Sequence, residues 1–441
     1  MTTKVKHYRN SFIDIQSNNL RVFMDPWINT ANEGSWAGSK NGSNFILKSL
    51  KEKKVDYIYI SHLHTDHFDE KFLKKLKKTQ KTPFKFIIKK FKDNRLRNQL
   101  IECGFNSKEI IDVNEFEILQ LNKKTKFIIL PQESSSNTPS QYIKYDLDTS
   151  CVFIDDNVSI YNQVDNPYST SDIKNVLKRL KKIINIKFDL AFIPYCAASE
   201  FPQSFVNLNR KKEKINIINS RIKKFVNIGN ILNCKKIIPA GGSYKLDNVF
   251  SKLNEYLAVP EFKTVNKLFN KNRSANFEII NTDKFYFSVT KNKMKLENNF
   301  YADHFKSKIN FDQKNIGYNR IKTKFSAKKI KKILQNLENS LPNFKKQLYD
   351  KTKTKIEFCI WDKQPVQMNK LEVKKAPLNH EIKFSKKKKL IKLRIHLYYK
   401  LLIGIVNKLV SWNEVQNHCL FERKPNNYDP DVIFWLNLYK F

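Results

Sequence analysis

The chain has 441 residues, with 82 Lys and Arg against 42 Asp and Glu, giving a net charge of +40. Hydrophobic residues make up 41% and aromatic residues 13%, which excludes a disordered chain, and the length exceeds one ordinary compact core, so two domains are expected. Six scattered cysteines (Cys103, Cys151, Cys196, Cys234, Cys359 and Cys419) form no CxxC or CxH pair, which excludes a zinc finger or an encoded Rieske cluster and points to a reducing, cytoplasmic setting.

The first residues, Met1 to Asn10, are polar and contain no apolar core of a signal peptide. Ser11–Ile15 and Leu20–Met24 flank a polar turn and predict a hairpin, which Pro26 ends. Tyr57-Ile58-Tyr59-Ile60 is a short strand running directly into a histidine cluster. Phe72, Leu73 and Leu76 then recur at helical spacing, with Asp69 as a candidate cap. Further strands are expected at Phe86–Ile88, Ile118–Leu121 and Phe127–Leu130, with a helix ending at Cys103 and closed by Gly104. Cys151–Ile154 and Val158–Tyr161 flank Asp155-Asp156-Asn157 as another hairpin. Ser171 opens a helix, Leu190–Ile193 is a strand, a long helix ends near Leu232, and Ile237-Ile238 is a strand. Early hairpins followed by βαβ-like alternation suit two mixed sheets covered by helices. Beyond residue 295 come a helix at Ile330–Leu341, a strand at Ile356–Trp361 and an apolar helix over Leu397–Val410, too short and too charged to span a bilayer. The expected domains are therefore 1–295 and a smaller α/β domain over 296–441.

The central signal is Ser61-His62-Leu63-His64-Thr65-Asp66-His67, an HxHxDH motif between a strand and a helix. Three of the chain's eight histidines fall within six positions, which chance explains poorly. His62 and His64 can reach one cation, and Asp66 and His67 a second. Imidazole and carboxylate suit Zn²⁺, Fe²⁺ or Mn²⁺, and such a metal brings the pKa of its bound water to about 7, making a hydroxide nucleophile. No GxGxxG, P-loop or GxSxG occurs. Cys196 reads either as a nucleophile or as a buried structural thiol, and Arg210, Lys211 and Lys212 either as a phosphate contact or as a solvated helix start.

HxHxDH after such a strand resembles the metallo-β-lactamase fold, a four-layer αββα sandwich. The surrounding order narrows the resemblance: Phe23–Trp27, Asp148–Cys151 with Asn162–Asp165, Ala197–Pro202, Pro239–Gly241, then Tyr428–Asp431 and Phe434-Trp435. It is similar to the non-Rieske part of CMP-N-acetylneuraminate hydroxylase and its bacterial relatives. The resemblance implies that His62 and His64 hold one metal, Asp66 and His67 another, that Asp165 supplies a bridging carboxylate, and that Asp25 orients a ligand imidazole. Asp66 is also the implied catalytic group.

The sequence departs from that family at three places. It lacks the CxH…CxxH ligands of a Rieske domain, so self-contained hydroxylation has no electron entry. Lys144 or Tyr145 stands where a histidine is expected before Asp148, and Gly242-Ser243-Tyr244-Lys245 follows Gly241 where the last histidine is expected. One ion, or at most two, is therefore expected, zinc or iron, with Asp148 as a substitute ligand. His304, His380, His396 and His418 are distant candidates or plain structural histidines.

Three functions compete. The first is a metallohydrolase acting on an anionic glycan or nucleotide sugar. The second is the body of a split monooxygenase that needs a separate electron-transfer protein. The third is a non-catalytic glycan- or nucleic-acid-binding protein. Dispersed lysines, with only Lys386–Lys389 as a dense run, read as coding bias rather than a nucleic-acid surface.

Overall fold

The computed structural model describes residues 2–132, 148–196, 198–272, 274–290, 293–310, 316–340, 343, 346, 354–367, 376–382, 391–407, 409–410 and 416–424. Lys144, Tyr145, Ala197, Lys386–Lys389 and the segment from Tyr428 to Trp435 lie outside them.

The first sheet begins with the meander β1 (Thr3–Arg9), β2 (Phe12–Ser17) and β3 (Leu20–Met24). Helix α1 (Gly42–Ser49) leads to β4 (Tyr57–Tyr59), α2 (Glu70–Thr79) to β5 (Lys85–Lys89), and α3 (Arg95–Glu102) to β6 (Ile110–Val113), all three strands parallel. The second sheet contains the antiparallel run β7 (Ile118–Asn122), β8 (Thr125–Leu130), β9 (Ser150–Ile154) and β10 (Ser159–Asn162). Helix α4 (Thr170–Lys181) then crosses to β11 (Leu190–Pro194), α5 (Arg210–Leu232) to β12 (Lys236–Ala240), and α6 (Phe262–Asn270) to β13 (Glu278–Ile279). The hairpin β14 (Phe285–Thr290) and β15 (Lys293–Asn298) returns to the first sheet beside β1. The orders are β15-β14-β1-β2-β3-β4-β5-β6 and β13-β12-β11-β10-β9-β8-β7.

The alternation of side chains along strands makes the layers. In β4 and the residue after it, Tyr59 joins Ile87, Phe127, Ile129 and Phe192 between the sheets. Ile58 and Ile60 turn outward to meet Phe72, Leu73 and Leu76 of α2. On the far face, Tyr161, Ala191 and Ile237 meet Val176 of α4 and Phe225 and Val226 of α5. The result is helix, sheet, sheet, helix, as expected. Inside it, Arg21 and Asp14, both fully buried, form a two-pronged ion pair of 3.1 and 2.9 Å.

α5 lies so close to the second sheet that Gly229 has no room for a side chain. A Cβ there would run into the Phe277 ring and stand 2.8 Å from Ile237 Cδ1. Gly229→Ala should therefore cost about 1–3 kcal/mol despite alanine's better helix propensity. Urea denaturation would measure this, and an unchanged midpoint would contradict it.

After α7 (Ala302–Phe305) and α8 (Ala327–Ser340), a third sheet forms from β16 (Thr354–Trp361), β17 (Leu378–Glu381), β18 (Ile391–Tyr398) and β19 (Leu420–Lys424), ordered β17-β16-β18-β19. The run expected to be one helix over Leu397–Val410 is split. Leu397 and Tyr398 end β18, and α9 occupies Tyr399–Val406. The two-residue alternation of Leu393, Ile395 and Leu397, all buried, places them on one face of a strand parallel to β16. The third sheet shares a core with loops of the sandwich that carry Trp27, Trp36, Tyr244 and Leu246. No helix among the described residues is long and apolar enough to cross a membrane.

Candidate metal centre

The HxHxDH residues follow β4 and precede α2, at the rim where the two sheets meet. Asp69 caps α2 by accepting from Phe72 N at Oδ1, and its Oδ2 takes the backbone N–H groups of both Ile28 and Asn29 at 2.9 and 2.6 Å. The loop from β3 is thereby fastened to the motif loop. Thr149, just before β9, donates to the Ser61 carbonyl at 2.9 Å and so ties the second sheet to it.

Asp25, at φ +44° after β3, is fully buried and organises the cluster from behind. It accepts from Ser61 N at 2.8 Å, Ser61 Oγ at 2.6 Å and His67 Nδ1 at 2.9 Å. The Ser61 hydroxyl proton is thus committed to Asp25, so its oxygen accepts from His62 Nδ1 at 2.9 Å. Both His62 and His67 therefore carry a proton on Nδ1 and turn Nε2 into the site. This is the tautomer that a ligand imidazole needs, fixed by a group behind the ring.

His67 Nε2 stands 3.4 Å from Asp66 Oδ2 and 3.3 Å from Asp165 Oδ2. It is fully buried and makes no hydrogen bond in the directions these oxygens offer. His62 Nε2 lies 2.9 Å from His64 Nδ1 and 3.8 Å from Asp148 Oδ1. Two groups of three therefore place their ligand atoms within 4.8 Å of one another: His62, His67 and Asp165, and His62, His64 and Asp148. Asp165 joins His67 and His62, while Asp148 joins His62 and His64. Gln132 braces Asp148, its Oε1 accepting from Asp148 N at 3.2 Å. Asn10, at φ +46°, donates from Nδ2 to Asp66 Oδ2 at 3.3 Å and is itself held by His7, whose Nε2 donates to the Asn10 carbonyl at 2.8 Å.

The electrostatics suit ligands. Burial pulls His62 and His64 down to about 4, so both are neutral near pH 7. Burial also pulls on His67, but Asp66, Asp165 and Asp25 outweigh it and hold that imidazole well above its usual range. Burial raises Asp66 and Asp165, and the nearby His67 reverses this in both. Burial pushes Asp148 up to about 6. A buried imidazole nitrogen between two carboxylates without a hydrogen bond, in a set of imidazole and carboxylate donors, fits a divalent cation.

The distant histidines do not join the cluster. His304 stacks on Phe45, His380 meets Glu338 at 3.0 Å, and His396 accepts from Trp361 Nε1 at 3.1 Å. His418 bonds Tyr318 OH at 2.6 Å and the Asn32 carbonyl at 2.9 Å, while Asn32 N donates to Thr65 Oγ1 at 2.8 Å. It braces the motif loop from the third sheet without reaching a ligand. The segment after Pro239 does reach the site: a Cβ on Gly241 (φ +68°) would stand 3.6 Å from Asp165 Oδ1, but glycine brings no imidazole. Cys196 is buried against the Gly241 carbonyl at 3.1 Å, and burial pushes its thiol up to about 12, so it is structural and not a nucleophile. Arg210 lies over the Tyr256 ring and Lys211 pairs with Glu255 at 2.7 Å, so both serve the start of α5.

No protein-family model matches the chain. A protein of Mycolicibacterium smegmatis, named as a Rieske 2Fe-2S iron–sulfur protein, is 31% identical over 93 residues, which are 21% of this chain and 17% of that protein. One of the same name from Mycobacterium tuberculosis is 34% identical over 92 residues, again 21% and 17%. The chain thus matches less than a fifth of the length of these relatives. Among solved structures, the metallo hydrolase Igni18 of Ignicoccus hospitalis has a TM-score of 0.42 at 14% identity, covering 64% of this chain and 96% of its own. CmlA, a diiron β-hydroxylase from Streptomyces venezuelae, has a TM-score of 0.42 at 14% identity, covering 67% and 54%. The metallo-β-lactamase fold protein YhfI from Bacillus subtilis has a TM-score of 0.40 at 10% identity, covering 65% and 100%. The fold is a helix–sheet–sheet–helix sandwich. In it the motif loop and the ends of β9 and β10 meet at one rim, which brings Asp148 and Asp165 to His62 and His67 across more than 80 residues of sequence.

Proposed function

We propose that this protein is a metal-dependent enzyme, a hydrolase acting on an anionic glycan or nucleotide sugar at the His62–His67 cluster. The observation that carries the reading is His67 Nε2, buried, without a hydrogen bond, and aimed between Asp66 and Asp165 while Asp25 holds the opposite nitrogen. A bound metal would supply a water whose pKa is near 7 and a Lewis acid for the scissile group. His62 would hold an ion either with His67 and Asp165 or with His64 and Asp148. Asp66 Oδ2, steadied by Asn10, is the oxygen positioned to take a proton from attacking water. Asp25 and Ser61 keep the two imidazoles in one tautomer throughout.

A second reading has its own support. Two histidines and one carboxylate are also the donor set of non-haem iron(II) oxygenases, and the curated relatives are named for a Rieske 2Fe-2S centre. In that reading a separate electron-transfer protein is the partner.

The experiment is a panel of nucleotide sugars incubated with zinc-loaded and with iron(II)-loaded protein, the latter with dioxygen and a reduced Rieske protein. Hydrolysis by the zinc form, abolished by chelator and restored by metal, is the expected result. A hydroxylated sugar formed only by the iron form would replace the first reading with the second. Turnover by neither, with metal bound, would overturn both.

A further inference from the structure

Beside Asp66, the cluster adjoins a seam of buried polar side chains. Arg9, at the end of β1, lies with its guanidinium carbon 4.1 Å above the Trp27 ring, and its Nη2 donates to the Ala37 carbonyl at 3.0 Å and to Ser307 Oγ at 3.3 Å. Trp27 packs on Trp36 with centroids 6.0 Å apart, and Trp36 stacks on Tyr244 at 3.7 Å and 10°. All four residues are more than nine-tenths buried. Yet Arg9 Nε and Nη1, Trp27 Nε1, Trp36 Nε1 and Tyr244 OH have no hydrogen-bond partner among the described residues. Buried polar groups in folded proteins are nearly always paired, and a few exceptions per hundred residues is the norm. Here the unpaired groups are gathered in one contiguous seam, and all of them can donate.

The carboxylates that act on Arg9 make their own hydrogen bonds elsewhere. The acidic groups acting on Arg9 are Asp69 and Asp66. Asp69 is consumed by the Ile28, Asn29 and Phe72 N–H groups, and Asp66 faces His67 and Asn10. Tyr244 lies within electrostatic range of Asp66, Asp165 and Glu200. Glu200 is itself fully buried with neither oxygen partnered, and burial pushes its carboxyl up to about 7, so it is only partly ionised near neutral pH.

We propose that Arg9, Trp36 and Tyr244 form a receptor for a compact anionic group, a carboxylate or phosphate, on the Asp66 flank of the cluster. The site would anchor the substrate's anion while the neighbouring metal site acts on another part of it. The inference rests on the proposed function only for that second clause. Stacking on Trp27 holds the guanidinium in one plane, and a charged donor with neutral N–H and O–H donors beside it is how proteins grip oxyanions.

The test is calorimetric titration of the metal-loaded protein with inorganic phosphate and, separately, with acetate, the tighter of the two identifying the anion. Saturable binding is expected in the wild type. Tyr244→Phe, which keeps the stack and removes one hydroxyl, should weaken it about tenfold. Arg9→Met should abolish it with the metal content unchanged. His62→Ala should leave it intact, because an anion bound to the metal would be lost with that ligand and an anion in the seam would not. Absence of saturable binding, or binding lost in His62→Ala but kept in Tyr244→Phe and Arg9→Met, would overturn the proposal. Since Arg9→Met risks the fold, Tyr244→Phe decides the matter alone if the melting temperature of the arginine variant falls. Failure of the hydrolase reading leaves the titration unaffected, so the two fail separately.

Discussion

His62→Ala should strip the protein of metal, whereas His64→Ala should leave its ion in place. His62 Nε2 belongs to both groups of candidate ligands, with His67 and Asp165 on one side and His64 and Asp148 on the other. Removing it leaves two donors in either group, and two donors in an open site do not retain a transition metal through dialysis. After growth in metal-supplemented medium, we expect below about one-tenth equivalent in His62→Ala and about one equivalent in both His64→Ala and the wild type, because one imidazole nitrogen serves one ion. Elemental analysis of dialysed protein reads this directly. Retention of the full wild-type content by His62→Ala would show that the metal, if any, sits elsewhere. Equal loss in both variants would place the ion in the His62, His64 and Asp148 group instead.

The candidate ligands carried by one short loop were legible in the sequence, because an HxHxDH run after an apolar strand places its imidazoles by local geometry alone. Asp25 was legible as a support only through resemblance; nothing local marks an aspartate before proline as the acceptor of three buried donors. Asp148 and Asp165 depend on register across the β9–β10 hairpin, where Asn162 pairs with Cys151, and sequence spacing does not say which rim a hairpin end reaches. Ser61, Asn10 and Gln132 carried no signal, being ordinary polar residues whose role comes from what the fold sets opposite them. The same holds for the seam of Arg9, Trp27, Trp36 and Tyr244, assembled from four separate segments. In the third sheet, β17 and β19 were missed because their sequences, Leu378–Glu381 and Leu420–Lys424, are polar and short. Their strand character comes from pairing with β16 and β18 rather than from propensity.

Asp25→Ala should damage metal binding and folding together, although Asp25 touches no metal in either proposed group. Its carboxylate takes three donors: the Ser61 backbone N–H, the Ser61 hydroxyl and the His67 Nδ1–H. Alanine leaves all three buried without an acceptor, at about 1–3 kcal/mol for each group that finds no other partner. A net loss of about 3–5 kcal/mol is therefore expected. The metal effect has a separate cause. Without Asp25, His67 is no longer bound to the Nδ1–H tautomer, and the Ser61 hydroxyl is released to donate to His62 Nδ1, which drives the His62 proton to Nε2 and blocks that lone pair. Replacing a group that orients a ligand imidazole typically costs 10–100-fold in metal affinity. Asp25→Asn separates the two effects. Its amide retains the volume and one acceptor oxygen, so it should recover part of the stability, but its NH₂ cannot accept from His67. Metal affinity should stay low even where the melting temperature recovers. Competition with a chromophoric chelator measures the affinity and urea denaturation the stability. An Asp25→Asn variant that binds metal as tightly as the wild type would refute the view that this carboxylate sets the tautomer of the site.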